Sequence, residues 1–175
     1  MWEWNYIYGA ILIKDFNKSF EIIESLKKDK KYPFINTNMF NFGETEIPYY
    51  YDDIILTFGA TYKNFGYEKS EWKIFILKME HLLRSIGFKS AQFHASGVFD
   101  QVTLSWYNIE DTYDELHKNY HTDTYDFYKT NEWYFGYGKR NLHFPELISK
   151  KYSKLDIEYP INYNKDIIRE FADRI

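Results

Sequence analysis

Residues Glu71–Ile86 read EWKIFILKMEHLLRSI, and Trp72, Phe75, Ile76, Met79, Leu82, Leu83 and Ile86 recur at the spacing of one apolar stripe on an α-helix. The ends agree with the middle. Ser70 is placed to accept from the free N–H groups of the first turn, Glu71 suits its positive end, Arg84 the negative end, and Gly87 the left-handed residue that closes a helix. Such a stripe needs a large apolar partner. Aromatic, β-branched segments lie on both sides, DIILTFGATY from Asp53 and SAQFHASGVFDQVTLSWY from Ser90, and these predict the strands it covers.

Working outward, WNYIYGAILI from Trp4 to Ile13 predicts a first strand, and its nearly unbroken apolarity suggests a central place in the sheet. Asp15 or Asn17 is placed to cap a three-turn helix through KSFEIIESLKKDKK, with Phe20, Ile23 and Leu26 inward. Its lysines 27, 28, 30 and 31 are read as a solvated helix end that complements the dipole. Pro33 opens an extended segment, FINTNMFNF. Gly59 in the next strand suggests a bulge or a close backbone approach, and residues 88–107 predict a hairpin broken near Ser96 and Gly97.

The order strand, helix, strand, strand, helix, strand over the first hundred residues predicts an α+β fold of ferredoxin-like βαββαβ type. Two helices would lie on one face of an antiparallel sheet. Residues 109–175 are expected to add a C-terminal α/β extension to the same single domain. It would hold a short helix near TYDELHKNYH, strands at TDTYDFYK and EWYFGYG, a helix at PELISKKYS, and a last helix capped by Asn164.

Composition narrows function more than it names it. The 175 residues contain no cysteine, which removes disulfides, zinc-thiolate and Fe–S sites and a thiol nucleophile. The apolar run Ile7–Ile13 is too short to span a bilayer, so a cytoplasmic protein is expected. Aromatic residues make up 22% of the chain, with 18 tyrosines. So many phenols are expected largely at the boundary, where Tyr and Trp serve as interface anchors, although AT-rich coding would produce the same surplus. Residues 32–62 and 90–117 hold no Lys or Arg but four and five carboxylates respectively, in a chain of net charge -4. Clustered carboxylates disfavour nucleic acid and favour a basic protein surface.

No catalytic signature stands out. His117, His121 and Asp123 in HKNYHTD have the i, i+4 spacing of a metal site but no firm further ligand. His94 shares a strand face with Ser96, with Asp100 nearby, yet no nucleophile elbow accompanies them; a histidine hydrogen-bonded across the sheet is the plainer reading. His81 is expected to be exposed. Neighbouring carboxylates such as Asp52 and Asp53 point apart in a strand and do not form a glycosidase pair. GYGKR at 136–140 lacks the phosphate-loop spacing.

The expectation that follows is a stoichiometric, immunity-type inhibitor without a cofactor. It would lay an acidic aromatic face over a basic toxin or nuclease through Tyr49, Tyr50, Tyr51, Asp52, Asp53, Trp106, Tyr107, Glu110, Asp111, Tyr113, Asp114 and Glu115. A phage-encoded inhibitor of a host defence enzyme has the same features. The alternatives are a nucleotide or sugar module with an aromatic pocket and, further off, a metal-assisted hydrolase. A homodimer is compatible with the same surface.

Overall fold

A computed structural model of the chain describes residues 4–43, 54–96, 101–111, 125–139 and 158–175. Its strands are β1 (Trp4–Ile13), β2 (Phe40–Phe42), β3 (Ile54–Lys63), β4 (Phe88–Ser96), β5 (Gln101–Asn108), β6 (Tyr125–Lys129) and β7 (Trp133–Lys139). Its α-helices are α1 (Phe16–Ser25), α2 (Lys69–Ile86) and α3 (Arg169–Ala172). The strands form one antiparallel sheet in the order β2-β3-β1-β4-β5-β7-β6. The α+β class is as expected, whereas the ferredoxin-like sandwich is corrected: the sheet has seven strands, not four. The hairpin β4/β5 does not end it, because β5 pairs along its length with β7, from Val102 against Lys139 to Asn108 against Trp133, and β7 then carries β6.

The deciding stretch is a helix and the stripe is its core face. Phe75, Ile76, Met79, Leu82, Leu83 and Ile86 are fully buried, and Trp72 is half-buried against Phe65. Gly87 ends the helix at φ +72. The start lies two residues earlier: Glu68 is the cap rather than Ser70, and the Glu71 carboxylate accepts from the N–H groups of Gly66 at 2.8 Å and Glu68 at 3.4 Å. The side of α2 away from the stripe is buried too, at Leu77, Lys78 and Glu80, because the loop after α1 and the C-terminal segment cover it.

In α1, Asp15 is the cap and accepts from Lys18 N at 3.0 Å. Ser19, not Phe20, turns inward with Ile23. The small Ser19 satisfies its hydroxyl on Asp15 O at 2.6 Å, which lets the helix pack closely there and leaves Phe20 46% exposed. The lysine-rich tail lies beyond the helix, where Lys27 pairs with Glu24 at 2.8 Å and Lys31 Nζ donates to Ile167 O.

The segment after Pro33 is extended only at β2, since a 3-10 turn occupies Thr37–Met39. Gly59 causes no bulge; its register against Tyr8 continues unbroken. The close approach falls on Gly9, over which the Phe93 ring lies. At the C-terminus, Asn164 Oδ1 accepts from Asp166 N at 3.0 Å in the turns before the last helix, whose cap is Ile168 rather than Asn164, and Ile168 and Phe171 are buried. One continuous apolar cluster runs from Ile7 through α2 to Phe135 and Phe171. Among the described residues no helix is long and apolar enough to cross a membrane.

Candidate functional site

Two buried polar clusters flank α2, and both are structural. On one side Lys78 Nζ donates to Asp29 Oδ2 at 2.6 Å and to the carbonyls of Lys31 at 2.6 Å and Pro33 at 2.9 Å. Asp29 also accepts from Ile35 N at 2.8 Å and Lys31 N at 3.2 Å, so the loop after α1 is tied to the helix. Burial pushes the Lys78 ammonium down from its ordinary value, and Asp29 opposes this.

On the other side Glu80 Oε1 accepts from Trp106 Nε1 at 3.1 Å and from Tyr159 OH at 2.8 Å, while Tyr159 OH accepts from Trp133 Nε1 at 2.8 Å. Trp106, expected at a partner surface, is therefore a correction: it is fully buried, and its indole N–H is used inside. His81 is corrected from exposed to half-buried, packed against the Tyr163 ring with its Nδ1 3.0 Å from Tyr163 OH. Burial holds it below the usual histidine value.

Glu80 gives a pH prediction. Burial raises its pKa above the ordinary 4.5, so the folded chain holds this proton to higher pH than the unfolded chain. Stability is then lost as pH rises from about 4.5 through the folded value. Glu80→Gln keeps the acceptor for Trp106 and Tyr159 but cannot ionise. The variant is expected to melt higher than wild type at pH 8, with the gap closing below pH 4.5. A melting-temperature difference independent of pH would contradict this.

The accessible candidate lies on the opposite side of the sheet. Alternation along β1 sends Ile7 and Ile11 to the helices and Trp4, Tyr6, Tyr8 and Ala10 the other way. Directly paired residues share a face, so Thr57, Gly59 and Thr61 of β3 and Gln92 and His94 of β4 join them. Trp4 is 60%, Tyr6 50% and Ile55 47% exposed. Tyr6 and Tyr8 lie 6.2 Å apart and Tyr8 and His94 5.5 Å apart, centroid to centroid. His94 Nδ1 is 2.9 Å from Thr103 Oγ1 across the strands, the plain reading of that histidine. Toward β5 and β7 the same face closes over, with Thr103, Ser105 and Tyr134 buried. The exposed platform is thus confined to β3, β1 and β4.

This platform is not acidic: among the residues that the strand register places on it, the formal charge is Lys63. Of the acidic contact residues expected from the sequence, Glu110 and Asp111 follow β5 and both reach Lys14, at 3.4 and 2.6 Å. Tyr107 is half-buried on the platform's face. Tyr49, Tyr50, Tyr51, Asp52, Asp53, Tyr113, Asp114 and Glu115 lie outside the described residues, as do His117, His121 and Asp123. Among the described residues no group of three or more His, Asp or Glu is placed to hold a metal ion. A groove of about 270 Å³ between the first turn of α2 and residues 158–162 is lined by Lys69, Ser70, Lys73, Glu158, Pro160, Ile161 and Asn162. Among the described residues it has no aromatic lining, unlike the aromatic pocket expected of a nucleotide or sugar module.

Trp4, Tyr6 and Tyr8 were legible as an i, i+2, i+4 aromatic row, but unbroken apolarity masked the row. No protein-family model, curated protein or solved structure matches this chain.

Proposed function

We propose that this chain is a stoichiometric protein binder, not an enzyme, whose anchor surface is the platform of Trp4, Tyr6 and Ile55. The supporting observation is the exposure of these three large side chains on the sheet face turned away from α2. Small-molecule sites are concave pockets; exposed Trp and Tyr side chains along a sheet face suit a macromolecular partner, where desolvated aromatic anchors dominate affinity. Ile55 follows Asp53 by two residues and Asp52 by three, so the platform adjoins the acidic stretch in sequence. That adjacency supports a basic partner, such as a toxin or nuclease of the same cell or a host defence enzyme, attracted by charge and held by the aromatic anchors.

The test is capture from the native lysate with tagged wild type and with a Trp4→Ala/Tyr6→Ala variant, at low and high salt. One basic protein recovered near equal stoichiometry, lost as salt rises and reduced at least about tenfold by the variant, is expected. Equal recovery by the variant removes this face from the proposal.

A further inference from the structure

The C-terminal segment 158–175 covers the side of α2 away from its apolar stripe, and side chains fasten it there. Its main-chain hydrogen bonds run inside the segment, as from Phe171 N and Ala172 N to Ile168 O at 2.9 and 2.8 Å and from Asp173 N to Arg169 O at 2.9 Å. The four-residue α3 that they close is too short to persist as an isolated helix, so its order depends on docking. Two anchors hold the segment to neighbouring residues of α2. Tyr159 OH is bonded to Glu80 and to Trp133 Nε1. Further along, the Tyr163 ring stacks on His81 at 5.8 Å and 16°, and Phe171 meets the His81 ring edge-on at 6.2 Å.

His81 sits among cations. Arg84 follows it by three residues on the same helix face and lies over the Tyr163 ring at 5.4 Å. Lys78 precedes it by three and lies 5.6 Å from the Phe171 centroid, and Lys165 is two residues beyond Tyr163. The neighbouring carboxylates are engaged elsewhere: Glu132 with Arg84 at 2.8 Å, Asp173 with Lys165 at 2.9 Å, Asp29 with Lys78 at 2.6 Å, and Glu80 with Trp106 and Tyr159. His81 Nε2 is buried and forms no hydrogen bond of ordinary geometry among the described residues. The place therefore suits a neutral ring. Burial and the cations of Arg84 and Lys165 oppose a proton there, and the nearby Ala172 backbone offsets them only in part.

We infer that segment 158–175 is an acid-sensitive strap: when His81 takes up a proton, the part from Tyr163 to Arg174 lifts from α2 while Tyr159 stays bound to Glu80. The two anchors respond to pH with opposite sign. With the strap lifted, His81 protonates near its ordinary 6.5, and with the strap docked only at lower pH. Docking of the outer part therefore weakens as pH falls from about 6.5 through the docked value. Buried Glu80 instead binds its proton above the ordinary 4.5, so acidification strengthens the docked state at Tyr159. Lifting also parts Ile167 O from Lys31 Nζ and Arg174 from Lys27 O, and it opens the Lys78 side of α2 that Phe171 covers.

The experiment is hydrogen exchange read by NMR on the full chain at about pH 7.5 and about pH 5, with rates corrected for the intrinsic effect of pH, since exchange resolves local opening from global unfolding. The amides of Phe171, Ala172 and Asp173 are expected to lose protection severalfold at the lower pH. The indole N–H groups of Trp106 and Trp133 and the amide of Leu83 are expected to keep theirs. His81→Phe leaves a ring between Tyr163 and Phe171 but takes no proton; it is expected to abolish the acid-induced loss, with circular dichroism confirming its fold. Wild-type protection at residues 171–173 that is unchanged by pH, or that falls together with that of Leu83, overturns the inference whether or not the variant folds. An acid-induced loss that persists in a folded His81→Phe chain overturns it as well.

Discussion

Lys78→Met is expected to destabilise the chain by about 3–5 kcal/mol, the cost of leaving a buried charge without its partner. Lys78 and Asp29 are both 0% exposed. Without the ammonium, Asp29 keeps only the N–H groups of Ile35 and Lys31, and the carbonyls of Lys31 and Pro33 lose their donor. The double variant Lys78→Met/Asp29→Asn removes the stranded charge and keeps an acceptor for Ile35 N. It is expected to be more stable than Lys78→Met alone, the non-additivity that marks a coupled pair. Urea unfolding of the two variants beside wild type measures both effects. A Lys78→Met midpoint within error of wild type would show that the pair contributes nothing.

Gly9→Val is expected to cost on the order of 3 kcal/mol or more, at the upper end of overpacking effects. A Cβ at position 9 would sit 2.1 Å from Gln92 O, 2.7 Å from Phe93 Cα and 2.8 Å from Phe93 Cδ1. Two of these atoms are backbone of the neighbouring central strand, so the clash cannot be relieved by a rotamer change. Relief would require parting β1 from β4, and with it the ring contacts of Phe93 to Phe58 at 5.6 Å and Trp106 at 5.8 Å. Gly59→Val is the control. It sits across the ladder from Tyr8 on the other face, and a Cβ there meets nothing within 4 Å. Thermal unfolding in which the two variants fall equally would refute the assignment of the close approach to Gly9.

These two glycines show where sequence reading stopped. Each interrupts an apolar strand, and local sequence treats them alike; whether a Cβ fits depends on which face the residue takes and which ring lies opposite. The same holds for Phe20 and Ser19. The 3.6-residue period placed Phe20 inward with Ile23, but a serine that bonds its hydroxyl to the preceding turn packs more closely, and the helix is rotated accordingly. Trp106 was legible as one half of an alternating strand, not as buried on its indole N–H, because Glu80, Trp133 and Tyr159 come from three other segments.

The sequence by itself determined α2, with its stripe and its closing glycine, the central place of β1, the hairpin β4/β5 and the antiparallel α+β class. All of these follow from periodicity and end signals within about twenty residues. Only the tertiary structure decided the sheet's size and order, the burial of Lys78 and Glu80 on the polar side of α2, and the exposed platform of Trp4, Tyr6 and Ile55. Each depends on which distant segment covers a surface. Covering is a property of long-range packing, which local hydrophobic pattern leaves open.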